Sequence, residues 1–79
     1  MNESLKKLIK SVFNLSDNSF SEDLTRQDIS NWDSLRHMDL IASIESEYNT
    51  MLDMQEILSI KSLPDIVAVL KGKGIDVES

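Results

Sequence analysis

The segment NWDSLRHMDL (31–40) places Ser34 directly after Asp33 and before Leu35, with Trp32 upstream and an apolar-periodic run downstream. A hydroxyl in that setting could act as a nucleophile. It would then need a base, an orienting acid and donors for an oxyanion. His37 is the single histidine of the chain, and at i+3 it falls on roughly the same side of a helix as Ser34. No glycine-rich turn supplies oxyanion donors, and no G-x-S-x-G elbow is present. A hydrolytic Ser34–His37 dyad is therefore not expected, and His37 reads as a surface or rim residue. The plainer possibility is that Ser34 caps a helix, since Ser and Asp both accept from free backbone N–H groups at helix starts.

A second chemistry-bearing set precedes it. Asp17, Ser19, Ser21, Asp23 and Asp28 fall at positions 1, 3, 5, 7 and 12 of a calcium loop. The position that needs glycine holds Glu22, and the last holds Asp28 where a bidentate Glu is required. The match is poor, and no metal site is expected.

The elements that must position these residues are helical. Only two glycines and one proline occur, and strand-like alternation is nearly absent. Leu5, Leu8, Ile9, Val12 and Phe13 form one stripe of an amphipathic helix that Asn2 or Ser4 can cap. Residues 14–33 are rich in Ser, Asn and Asp, which favour turns. Their spaced apolar side chains, Leu15, Phe20, Leu24, Ile29 and Trp32, imply a loop pinned to the core. A second helix is expected from near Ser34 to Tyr48 or Asn49, with Leu40, Ile41, Ile44 and Tyr48 on its core face. Leu35, Met38 and Ala42 make a second apolar stripe, interleaved with Asp39 and Glu45. A weak third helix is expected over 53–59, with Met54, Ile57 and Leu58 as its apolar side. The fourth starts at Ser62, with Pro64 in its first turn and Asp65 three after the cap. Its stripe is Leu63, Ile66, Val67 and Leu70. Lys71 and Lys73 suit its negative end, Gly72 or Gly74 can stop it, and the tail IDVES (75–79) is expected to fray. The fold class is all-α: a four-helix bundle, three longer helices and one short, with a long loop between helices 1 and 2.

Bulk properties limit what such a chain can be. Seventy-nine residues support one domain, here 1–79, and bury only roughly 60% of the surface of the unfolded chain, too little for a deep enzyme pocket. There is no cysteine to staple the fold or bind metal as a thiolate. No apolar run approaches the roughly 18 residues of a membrane span. Lys6, Lys7 and Lys10 interrupt any apolar signal core, so a cytoplasmic location is expected. The net charge is −6, and residues 17–56 hold ten acids against Arg26 and Arg36. That field repels nucleic acid and steers basic protein surfaces toward the middle of the chain.

WDSLRHMDLIASIESEY (32–48) resembles the phosphopantetheine attachment motif of acyl carrier proteins. D-S-L alone is a weak tripeptide; D-S-L followed by L-I-x-x-I-E-x-E-Y is fairly specific. The resemblance runs over essentially the whole chain, including SEDL at 21–24, the short third helix and the Ser-capped fourth. It implies that Ser34, flanked by Asp33 and Leu35, accepts a 4'-phosphopantetheine arm from coenzyme A through a separate phosphopantetheinyl transferase. Ser34 then needs no base of its own, and the thiol that the chain lacks arrives with the arm. A phosphodiester at a helix N-terminus would face free N–H groups and the positive end of the dipole. By the same resemblance, Leu35, Met38 and Ala42, ringed by Asp33, Asp39 and Glu45, meet basic docking surfaces of acyl-loading and acyl-processing enzymes. The interior would be able to shelter part of an acyl chain.

The chain is thus expected to be a monomeric acyl carrier, not an enzyme. Trp32, Arg36, His37 and Ser46 depart from the pattern of fatty-acid synthesis carriers, which implies a specialised member. The alternatives are a peptidyl or aminoacyl carrier and a non-covalent helical adaptor in which Ser34 is only a cap.

Overall fold

The computed structural model describes residues 1–78. Among them the order is α1 (Glu3–Phe13), α2 (Ser34–Tyr48), α3 (Met54–Ser59) and α4 (Leu63–Gly72). There is no sheet among the described residues, only one isolated bridge between Thr25 and Ser62.

Each boundary has a local cause. The Asn2 side chain accepts from Leu5 N and starts α1, while Ser4 instead donates its hydroxyl to Glu47 Oε2 on α2. Asp53 and Glu56 form a reciprocal capping box on α3. Ser62 accepts from Asp65 N, and Pro64 lies in the first turn of α4, where its missing N–H has no partner to lose. The Asp65 carboxylate turns back to Lys61 N rather than to the cap residue. At the far ends, Asn14 (φ 54°) and Asn49 (φ 50°) take left-handed conformations. Asparagine tolerates that region better than most L-residues, so both positions stop a helix. After α4 the same job falls to Gly74, at φ 81°.

The core lies where the stripes meet. Leu5, Ile9, Val12 and Phe13 of α1 pack with Leu40, Ile41 and Ile44 of α2 and Leu63, Ile66 and Leu70 of α4. Leu8, Tyr48 and Val67 complete these faces as partly buried members. The long connection is pinned as its apolar spacing implied. Ile29 and Trp32 are buried, and Leu15, Phe20 and Leu24 pack on the core. It is also tied to the α3–α4 linker, since Leu63 N donates to Leu24 O and Arg26 N to Lys61 O.

Two expectations are overturned. The tail does not fray over its described part: Val77 is 1% exposed, Ile75 packs on the core, and Asn2 N donates to Val77 O at 2.6 Å. Ser79 lies outside the described residues. Of the apolar side of the third helix, Ile57 packs on the core but the other two residues do not. Met54 and Leu58 are 67% and 65% exposed, and α3 contributes no fully buried side chain. Its flanks are what anchor it, through Leu52 and Ile60 in the core.

Candidate site at the start of α2

Asp33, not Ser34, caps α2. Its backbone is extended (φ −105°, ψ −173°) and its side chain accepts from Arg36 N at 2.8 Å. Ser34 is therefore the first helical residue, and its exposed hydroxyl makes no hydrogen bond among the described residues. At a helix start the first N–H groups have no intrahelical acceptor. Asp33 satisfies that of Arg36, which leaves those of Ser34 and Leu35 at the positive end of the helix dipole. The cap reading of Ser34 thus fails for a simple reason: its neighbour already does the work.

The segment is held from both sides. Asn31 Nδ2 donates to Phe13 O at 3.1 Å, and Arg36 reaches Val12 O at 3.0 Å. Both close carbonyls at the C-terminal, negative end of α1, where a guanidinium is favoured. Arg26 Nε donates to the Trp32 carbonyl. Ser34 therefore sits on a braced corner. Arg36, one of the residues that depart from the pattern of fatty-acid synthesis carriers, belongs to that bracing.

His37 corrects the sequence reading most. It is 8% exposed, not on the rim. Trp32 Nε1 donates to its Nδ1 at 3.0 Å, and its Nε2 lies 2.8 Å from Ile57 O. Both ring nitrogens are occupied and neither serves Ser34, so the dyad has no geometric basis. The calcium-loop positions do not converge either. Asp17 pairs with Lys10 at 2.5 Å, Asp23 accepts from Ser21, and Asp28 accepts from Thr25. Asp17 is held below the usual carboxylate range by its hydrogen bond from Lys10 and by that lysine's charge. No group of three or more metal-ligating side chains gathers among the described residues.

Beside Ser34 the second stripe is open. Leu35 is 73% and Met38 54% exposed, and Asp33, Asp39 and Ala42 are exposed with them. Glu45 stands apart from this group. It is half-buried, and its carboxylate accepts from Leu52 N at 2.9 Å, fixing the α2–α3 loop. Three more apolar side chains are exposed: Met51 (80%), which the sequence reading did not place, and Met54 and Leu58 of α3. All five large exposed apolar side chains of the described residues thus fall between 35 and 58. For Met54 and Leu58 the one signal was that α3 is too short to bury a face.

A family model described as the phosphopantetheine attachment site matches residues 3–70. The chain belongs to this family, that of the acyl carrier proteins: it is a carrier rather than a catalyst, and its cofactor is a covalent 4'-phosphopantetheine. No curated protein matches it. The residues fit such a group. An exposed, unengaged hydroxyl stands at a helix N-terminus, and the chain has no thiol of its own. No helix of the described residues is long and apolar enough to cross a membrane.

Proposed function

We propose that Ser34 is the attachment residue and that the chain carries acyl groups between enzymes. The observation that carries this reading is the Ser34 hydroxyl, exposed and unpartnered on the first residue of α2. The group, when bound, supplies a terminal thiol that holds an acyl chain as a thioester. Everything else is done by this chain's residues. Ser34 Oγ would displace adenosine 3',5'-bisphosphate from coenzyme A, the pyrophosphate P–O bond breaking as the serine P–O bond forms, and its proton leaves to a visiting transferase, because His37 is committed elsewhere. The N–H groups of Ser34 and Leu35 offer a positive end to the phosphodiester. Asp33 contributes by shaping the turn, not by touching phosphate.

The docking face comprises Leu35, Met38, Asp39 and Ala42, extended by Met51, Met54 and Leu58. Exposed apolar patches of this kind mark interaction surfaces, and methionine adapts to differently shaped partners. Asp33 and Asp39 supply the negative rim that attracts basic docking sites. Glu45 belongs to the rim only through its unshared oxygen, since the other holds Leu52 N. The acidic second helix favours acyl over aminoacyl cargo. A free docking face favours a monomer working as a single carrier domain, because self-association would cover it.

The test is direct. Purified protein is incubated with coenzyme A and a broad-specificity phosphopantetheinyl transferase, and its intact mass is measured. Wild type should gain one arm and Ser34→Ala none. An arm on Ser34→Ala would overturn the assignment of the residue. No arm on wild type would leave a non-covalent adaptor as the better reading.

A further inference from the structure

Trp32 and His37 are joined by a bond that cargo carrying alone does not require. An indole N–H can only donate, so the 3.0 Å contact makes His37 Nδ1 the acceptor. The imidazole proton then sits on Nε2, which donates to Ile57 O at 2.8 Å. That carbonyl lies in the last turn of α3, where helix geometry leaves it without an intrahelical donor. Trp32 is itself wedged against Phe13, ring centroids 4.8 Å apart, and its indole stacks on the imidazole at an interplanar angle of 23°. A continuous polar strut thus runs from two residues before Ser34, through the first turn of α2, to the end of α3. The helix it reaches buries no side chain fully. A further polar tie, the 2.9 Å pair between Glu56 and Lys73, reaches the C-cap of α4. Between its buried flanks, Leu52 and Ile60, α3 is thus placed by these polar ties and by the partly buried Ile57.

We infer that His37 is a positioning residue: held by Trp32 and bonded to the Ile57 carbonyl, it fixes α3 beside Ser34 and so sets the shape of the face that partners meet. The claim about partners rests on the docking face proposed above; the claim about α3 does not. Met51, Met54 and Leu58 would be displaced relative to Leu35 and Met38 if the strut were cut, while Ser34 would keep its cap and its exposure.

Three variants separate this from a merely packed histidine. His37→Gln can keep both bonds in one amide, the oxygen accepting from Trp32 and the NH2 donating to Ile57 O. His37→Leu keeps bulk and loses both. Trp32→Phe keeps the ring against Phe13 and loses only the donor, so it preserves the test should His37→Leu fail to fold. Hydrogen exchange of the unmodified proteins is read first. In His37→Leu, α3 amides should exchange roughly tenfold faster, the factor that one net hydrogen bond ordinarily represents. Amides of α1 and α4 should hold, and His37→Gln should restore α3. Kinetics with coenzyme A and the broad-specificity transferase are read second. KM for the carrier should rise in His37→Leu with kcat retained, and His37→Gln should return it.

Exchange that quickens equally in all four helices would overturn the inference, as would failure of His37→Gln to restore either readout. Faster α3 exchange with an unchanged KM would overturn the partner claim. If wild type accepts no arm, the docking reading has failed, and the exchange data alone decide whether the strut exists.

Discussion

Asp33 accepts from Arg36 N, and so Ser34 has nothing to do within its own chain. Replacing Asp33 with Ala should cost about 1 kcal/mol of stability, a fall in Tm of roughly 4–8 °C for a domain this small. Asp33→Asn should cost much less, because Asn caps about as well as Asp. Thermal melting distinguishes the two. Met38 makes the opposite case. At 54% exposure it has little packing to lose, so Met38→Glu should leave helicity intact while partner turnover falls. Equal loss of helicity by circular dichroism would show that Met38 belongs to the core. The place of Ser34 at the start of α2 was legible in sequence because it is set within one turn of the helix. His37 was not. Its acceptor, Ile57, lies twenty residues away, and nothing in a lone histidine says which carbonyl it will meet.

Helix starts carry short-range signals, which is why α1, α2 and α4 begin where Asn2, Asp33 and Ser62 cap them. The third helix begins at a cap too, the Asp53–Glu56 box, but its faces were not legible. Six residues make fewer than two turns, so Met54, Ile57 and Leu58 define no reliable face. Its hold on the molecule is electrostatic in part and hence pH-dependent. The Glu56 carboxyl lies below its ordinary value, mainly through the Asp53 N–H of the capping box and then through Lys73. A depressed carboxyl stabilises the fold only while ionised. The contribution is complete above the ordinary carboxylate range and is lost as pH falls through the depressed value. Acidification should therefore lower the protection of α3 amides, relative to their intrinsic exchange rates at each pH, before that of α2 amides. Glu56→Gln should show faster α3 exchange already at neutral pH and a flatter response to acid.

At the scale of the whole molecule the least legible feature was the return of the tail. Gly72 and Gly74 were sound stop signals, but a stop says nothing about where the chain goes next. It goes back to the N-terminus, where Asn2 N meets Val77 O and the Val77 side chain is sealed in the core. In a chain with so small a core, Val77→Ala should cost about 2 kcal/mol. Chemical denaturation would read that loss, and no change in midpoint would return the tail to the status of a frayed end. The remainder of the bundle was legible because three amphipathic stripes have one way to bury themselves, and residues 14–33 carry enough apolar side chains to be drawn in. The concentration of acids in residues 17–56 survives folding as an exposed Asp33 and Asp39 beside Ser34.

The central claim concerns one hydroxyl among the twelve serines of the chain. The measurement that tests it most directly is fragmentation of the transferase-treated protein, locating the added arm to a residue. The account predicts a single modified site at Ser34 in the fragment spanning 31–40, with every other serine unmodified. An arm found on any other residue, or spread over several, would contradict it.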